Sequence, residues 1–192
     1  MEKFPSNKKV LEIQPGIYWA RFLLPSLISH VNLYVIEEID GITIIDTGLS
    51  VTSCRDNWGY ILKNEFKNKD IKRVIVTHHH PDHIGLIGWF KDNFGAEIWT
   101  SRSSWLTSRM LTLDEKDVIS KEVLNFWLSA GMPSEILQKK CLEKPFNFGD
   151  FVEDIPLGYR RILDNEILTI GNKKWNVKLV DGHAPEQILL FC

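Results

Sequence analysis

Lysine and arginine form no basic block in these 192 residues, cysteine occurs only three times, and every long apolar stretch is interrupted. Each shortage closes a class of function. With a formal net charge of −2 and scattered cations, the chain lacks the phosphate-neutralising surface on which nucleic-acid affinity depends. The locally charged segment 63–69 reads as a solvated helix end. Cys54, Cys141 and Cys192 are odd in number, far apart and without a C-x-x-C pair, which argues against a disulfide framework and fits reducing, intracellular conditions. Met1-Glu2-Lys3-Phe4-Pro5 has no apolar signal region behind its lysines, so the expected location is cytoplasmic. Residues 22–36 are apolar, but Pro25, Ser26, Ser29, His30 and Asn32 break them up well short of the roughly 18 residues a membrane span needs. They read as two strands joined by a loop, and no membrane partner is expected.

What is present suits one folded unit. Hydrophobic residues make up 44% of the chain, enough for one sizeable core, and a single domain over 1–192 is expected. Strand patterns occupy 16–22, 31–37 and 42–46, with Asp40-Gly41 marking a hairpin. Ser50 or Thr52 can cap a helix running to about Phe66, and 73–77 returns as a strand. A helix over 83–94 and a short strand over 97–100 continue the alternation that marks an α/β fold. Between 101 and about 142 the apolar period becomes helical, through Trp105, Leu106, Met110 and Leu111 and then Val118, Val123, Phe126 and Trp127. This is a helical insertion, either shaping the mouth of a site or extending the packing. Strands return over 166–170, 174–180 and 187–191, with Gly171-Asn172 turning the first pair.

The chemistry concentrates in His78-His79-His80-Pro81-Asp82-His83, which follows the buried-type run 74–77. In an extended stretch, side chains at i and i+2 share a face, so His78 and His80 can grip one ion while His79 turns away. Pro81 biases His80 away from helical geometry and forces a turn that carries Asp82 and His83, where a second ion could sit. Imidazole and carboxylate suit zinc and its borderline relatives. A bound divalent ion would lower the pKa of water to about 7 and so make hydroxide available at neutral pH. Gly48 and Gly182 are read as backbone room beside the ions.

The segment Thr77-His78-His79-His80-Pro81-Asp82-His83-Ile84-Gly85 resembles the T-H-x-H-x-D-H-x-G signature of the metallo-β-lactamase superfamily. Ile44-Ile45-Asp46-Thr47-Gly48 looks like its earlier strand end, and Asp181-Gly182-His183-Ala184-Pro185-Glu186 like its later histidine segment. The resemblance implies an αββα sandwich of α/β class, one ion on His78, His80 and His183, and a second on Asp82 and His83. Asp82 then faces the attacking water or, with one ion only, handles its proton. Asp46 is expected to support a metal-bound imidazole from behind. Zinc is the expected cofactor, as one or two ions, with iron or manganese as alternatives. Glu186 is read as a residue that only shapes its loop.

The chain also departs from the family pattern. No histidine follows His183 and no aspartate follows Asp181, whereas family members continue to a bridging aspartate and a final histidine. The expectation is therefore a sandwich whose C-terminal part is missing and a first ion site stronger than the second. The favoured activity is hydrolysis of a small carbonyl substrate, a thioester or lactone before a β-lactam. The alternatives are a non-catalytic metal-binding or partner-binding module and an RNA phosphodiesterase. Oligomeric state is not readable.

Overall fold

The computed structural model describes residues 4–25 and 29–192. The N-terminal residues 1–3 and part of the loop expected within 22–36 lie outside them.

Four strands open the chain: β1 Val10–Gln14, β2 Ile17–Leu23, β3 His30–Glu38 and β4 Gly41–Ile45. They form an antiparallel meander, and the β3–β4 turn is Ile39-Asp40, since Glu38 pairs with Gly41. Gly41 is required for another reason: an added Cβ would stand 2.4 Å from the Asp70 carbonyl. After helix α1 Thr52–Asn64, strands β5 Ile71–Ile75 and β6 Glu97–Thr100 join in parallel. The two-residue β7 Arg160–Arg161 closes the large sheet in the order β1-β2-β3-β4-β5-β6-β7. All five residues of β4 are buried, as expected of a strand covered on both faces.

One cover is helical. Trp58 and Ile61 of α1 and Phe90 of a later helix pack on Phe22, Leu33, Val35, Ile44 and Val74. The other cover is a small antiparallel sheet of β8 Ile167–Ile170, β9 Lys173–Val180 and β10 Gln187–Phe191, in the order β10-β9-β8. Ile17, Ile36, Ile45 and Ile75 from the large sheet meet Leu168, Ile170, Val177 and Ile188 from the small one. Helix, large sheet and small sheet thus lie in the order an αββα sandwich requires, and the outer face of the small sheet is exposed along Lys174, Asn176 and Lys178.

Two local expectations change. The helix read over 83–94 is two helices, α2 Pro81–Ile84 and α3 Ile87–Phe94, with the chain redirected at Gly85-Leu86. The residue before α1 is Val51, not Ser50 or Thr52, and no side chain caps it. Ser50 instead serves Arg55, whose Nη2 donates to its hydroxyl at 2.7 Å, and Glu153. The insertion consists of α4 Arg102–Leu113, α5 Lys121–Ser129 and α6 Ser134–Cys141. Helix α4 is pinned by Trp105 Nε1 and Arg109 Nη1 donating to the carbonyls of Pro156 and Ile155, whereas α5 and α6 contain no buried residue. Among the described residues no helix is long and apolar enough to cross a membrane.

Candidate metal centre

The parallel strands β4, β5 and β6 end at the same edge, and the loops leaving β4 and β5 meet there. Open α/β sheets present ligand sites at such carboxyl ends. The β5 loop follows Pro81: His80 is extended (φ −63°, ψ 143°), Pro81 starts α2, and the amides of His83 and Ile84 donate back to the His80 carbonyl. The β4 loop is built around Asp46 and Thr47. Thr47 N and Oγ1 both donate to the His83 carbonyl at 2.8 Å, and Leu86 N donates to Thr47 Oγ1 at 3.0 Å. Gly85 makes this approach possible, because a Cβ there would lie 2.4 Å from the Gly48 carbonyl and 2.8 Å from Leu49 Cα. A third loop, between β9 and β10, brings His183, and Ile188 N donates to the Thr77 carbonyl at 2.9 Å to join the small sheet to the end of β5.

His78, His80 and His183 converge, each offering a ring nitrogen, and the three atoms lie within 4.8 Å of one another. The Nε2 atoms of His78 and His183 are 3.2 Å apart. Two nitrogens bound to one tetrahedral zinc at about 2.0–2.1 Å stand about 3.3 Å apart, so the spacing fits a shared cation. Burial is graded from His78, enclosed, through His80, half-buried, to His183, exposed, which leaves one side of the cluster open to solvent. Burial, and then the charge of neighbouring His83, push the pKa of His78 down to about 3. Burial first, then neighbouring histidines, also lowers that of His80. Both rings are therefore neutral at pH 7, the form that can ligate.

Asp46, 4% exposed, organises two of the rings. Its Oδ1 accepts from Thr77 N at 2.7 Å, and its Oδ2 accepts from Thr77 Oγ1 at 2.7 Å and from His83 Nδ1 at 2.8 Å. A carboxylate only accepts, so the Thr77 hydroxyl donates to Asp46. Its oxygen, 2.9 Å from His78 Nδ1, is then left to accept from that ring. In the neutral rings this chain of bonds places the proton of both His78 and His83 on Nδ1 and leaves each Nε2 with a lone pair. His83 Nε2 faces Asp82 Oδ2 at 3.4 Å, so these two residues stand as a pair beside the three histidines. Burial lowers the pKa of His83, but the charge and hydrogen bond of Asp46 and the charge of Asp82 outweigh it, and the net shift is upward.

The other expected residues separate. His79 is not part of the converging group and its Nδ1 is buried without a partner among the described residues. His30 lies at the start of β3, with Nδ1 2.7 Å from Ser29 Oγ and 3.2 Å from Arg21 Nη2. Gly48 is left-handed (φ +87°), and its neighbours are Cys54 and Phe22 of the core; a Cβ on Gly182 would meet nothing within 4 Å. The tight backbone approach beside the motif falls at Gly85. Thr77 and Gly85 lie inside the motif, but their roles depend on Asp46 and Gly48 from the β4 loop, which no local pattern reveals. A cleft of about 610 Å³ between the sheets includes Asp46, Thr77, His78 and His83 in its wall, beside Ile45, Trp175 and Leu190.

Comparison with known proteins gives a consistent result. The chain is 23% identical over 168 residues to "Probable metallo-hydrolase YqjP" of Bacillus subtilis, covering 87% of this chain and 50% of that protein. It is 33% identical over 153 residues to transcription termination factor FttA of Methanocaldococcus jannaschii, covering 75% of this chain and 21% of that one. A β-lactamase domain protein from Burkholderia ambifaria superposes with a TM-score of 0.80 at 26% identity, over 98% of this chain and 52% of that one. A metallo-β-lactamase family protein from Thermus thermophilus superposes with a TM-score of 0.72 at 24% identity, over 93% of this chain and 56% of that one. The chain thus spans about half the length of the first of these curated relatives and of both solved structures. The model of the metallo-β-lactamase superfamily matches residues 28–185, a span that holds the loops of Asp46, His78 to His83 and His183, and the chain belongs to that superfamily.

Proposed function

We propose that the chain carries the metal centre of a zinc-dependent hydrolase acting on a small carbonyl compound, a thioester or lactone in preference to a β-lactam. The observation that carries this reading is the convergence of His78, His80 and His183, with one side open to solvent. His78, His80 and His183 would hold a divalent cation, which would supply Lewis acidity and a water of lowered pKa. The chain's own residues do the rest. Thr77 and Asp46 hold His78 with Nε2 turned inward. With one cation bound, the Asp82 carboxylate would accept the proton of the attacking water; with two, Asp82 and His83 would hold the second. The name of the Bacillus relative supports hydrolysis.

The likeness to an archaeal transcription termination factor favours a second reading, action on an RNA phosphodiester. The net charge of −2 weighs against it, since RNA binding draws on neutralised phosphates. One experiment separates the readings: zinc, iron and manganese analysis of the purified protein alongside hydrolysis assays on a thioester, a lactone, a β-lactam and an RNA oligonucleotide. The expected result is bound zinc with turnover of the thioester or lactone, lost in His80→Ala. Turnover of RNA alone would install the second reading. Metal retention without any turnover would make the chain a non-catalytic metal-binding module, and absence of zinc, iron and manganese would end both proposals.

A further inference from the structure

We infer that Glu186 is a positioning residue that ties the loop of His183 to the helical insertion. The inference rests on reading His183 as a metal ligand. Asp181, Gly182, His183 and Pro185 are all exposed, and of the loop only Ala184 is buried. Packing therefore does little to fix the one imidazole that reaches the cluster from the small sheet. Two hydrogen bonds at Glu186 supply what packing does not. Its amide donates to Asp181 Oδ1 at 3.0 Å and closes the loop on itself, while its Oε2 accepts from Ser103 N at 2.8 Å and stakes the loop to the first turn of α4. Hydrogen bonding from Ser103 holds the Glu186 carboxyl below the usual range, so the tie is present at neutral pH.

The backbone supports the same reading. Glu186 is left-handed (φ +48°), a conformation that costs a residue with a Cβ and suits glycine. A glutamate kept in such a place suggests a use for its side chain, and the contact with α4 is that use. Helix α4 is in turn anchored through Trp105 and Arg109 to the backbone of residues 155–156. The insertion thereby takes part in holding the third imidazole, in addition to extending the packing.

Two variants test this. Glu186→Gly removes the carboxylate and relieves the left-handed strain; Glu186→Gln keeps an acceptor oxygen of the same reach. Zinc affinity is measured by competition with a chromophoric chelator, ligand geometry by the visible spectrum of the cobalt-substituted protein, and integrity by the unfolding temperature of the metal-free protein. Glu186→Gly should weaken zinc about 10- to 100-fold, the range for residues that orient ligands, and alter the cobalt spectrum while the metal-free unfolding temperature holds. Glu186→Gln should recover most of the affinity and the parent spectrum. Parent-like affinity and spectrum in Glu186→Gly would overturn the inference and leave the metal reading standing. A loss that Gln does not recover, or one matched by a fall in metal-free stability, would also overturn it. Failure of the parent protein to bind zinc or cobalt would instead remove the metal reading itself.

Discussion

Single side chains at this centre act through the nitrogen they leave free. Removing His80 takes away one of three converging imidazoles, and two are too few to hold zinc tightly. Elemental analysis of His80→Ala should find the metal gone, and unchanged zinc content would refute the ligand set. Asp46→Asn is the subtler change. The amide keeps the size of the carboxylate but adds donors where Thr77 N, Thr77 Oγ1 and His83 Nδ1 all donate, so one of them is left facing another donor. Zinc affinity should fall about 10- to 100-fold, measurable by chelator competition. Protonation gives a third expectation. A metal can replace only a nitrogen that has lost its proton. The His83 pKa is raised by Asp46 and Asp82 against the pull of burial, whereas that of His78 is depressed to about 3. Protons therefore compete at His83 to higher pH than at His78. Any zinc taken up by the His83–Asp82 pair, which two ligands hold only weakly, should bind more tightly as pH rises, and should need a higher pH than zinc on the three histidines. A zinc titration followed by calorimetry at several pH values checks this, and a weak second binding event that is missing, or that does not strengthen with rising pH, would show that the pair is not a cation site.

Elements carry the centre because two loops meet without room to spare. At Gly85 a Cβ would press on the Gly48 carbonyl and Leu49 Cα, both backbone atoms that cannot swing aside. Gly85→Ala should therefore cost about 1–3 kcal/mol, the range for an overpacked site. Gly182→Ala, which meets nothing within 4 Å, should stay within about 0.5 kcal/mol. Chemical denaturation of both variants checks the contrast. The same place marks where sequence stops being informative. Strands such as Glu97–Thr100 and Gln187–Phe191 occur where period-2 patterns and turn residues put them, because that signal is local. The run 83–94 reads as one helix, since nothing within it announces that Gly85 must abut Gly48. Ser50 looks like a cap and is not one, because Arg55 and Glu153 take its hydroxyl, and Glu153 lies 103 residues downstream. The histidine pair was legible from i, i+2 spacing alone; the arrival of His183 came from resemblance, and the Thr77 relay needed coordinates.

At the scale of the molecule, rigidity is unevenly distributed, and the site sits at the boundary. Strands β3 to β5, with α1 and α3, share a core in which Leu33, Val35, Ile42, Ile44, Trp58, Val74 and Phe90 are fully buried. Helices α5 and α6 have no buried residue, and Phe126, Leu128, Ile136 and Leu142 stand exposed. Burial sets the free energy of local opening, so the molecule should open in order. Amides of α5 and α6 should exchange hydrogen first and those of β4 and β5 last. Helix α4 should fall between, held by Trp105 and Arg109 on one side and by the Glu186 carboxylate at its first turn. Zinc slows every opening that breaks its ligand set, whereas α5 and α6 can open locally without disturbing it. Added metal should therefore slow exchange in the His183 loop and the first turn of α4 and leave α5 and α6 unchanged. Hydrogen exchange with and without zinc, resolved by peptide, measures this directly; protection reaching α5 and α6 would mean that the whole insertion, and not its first helix alone, is mechanically part of the centre.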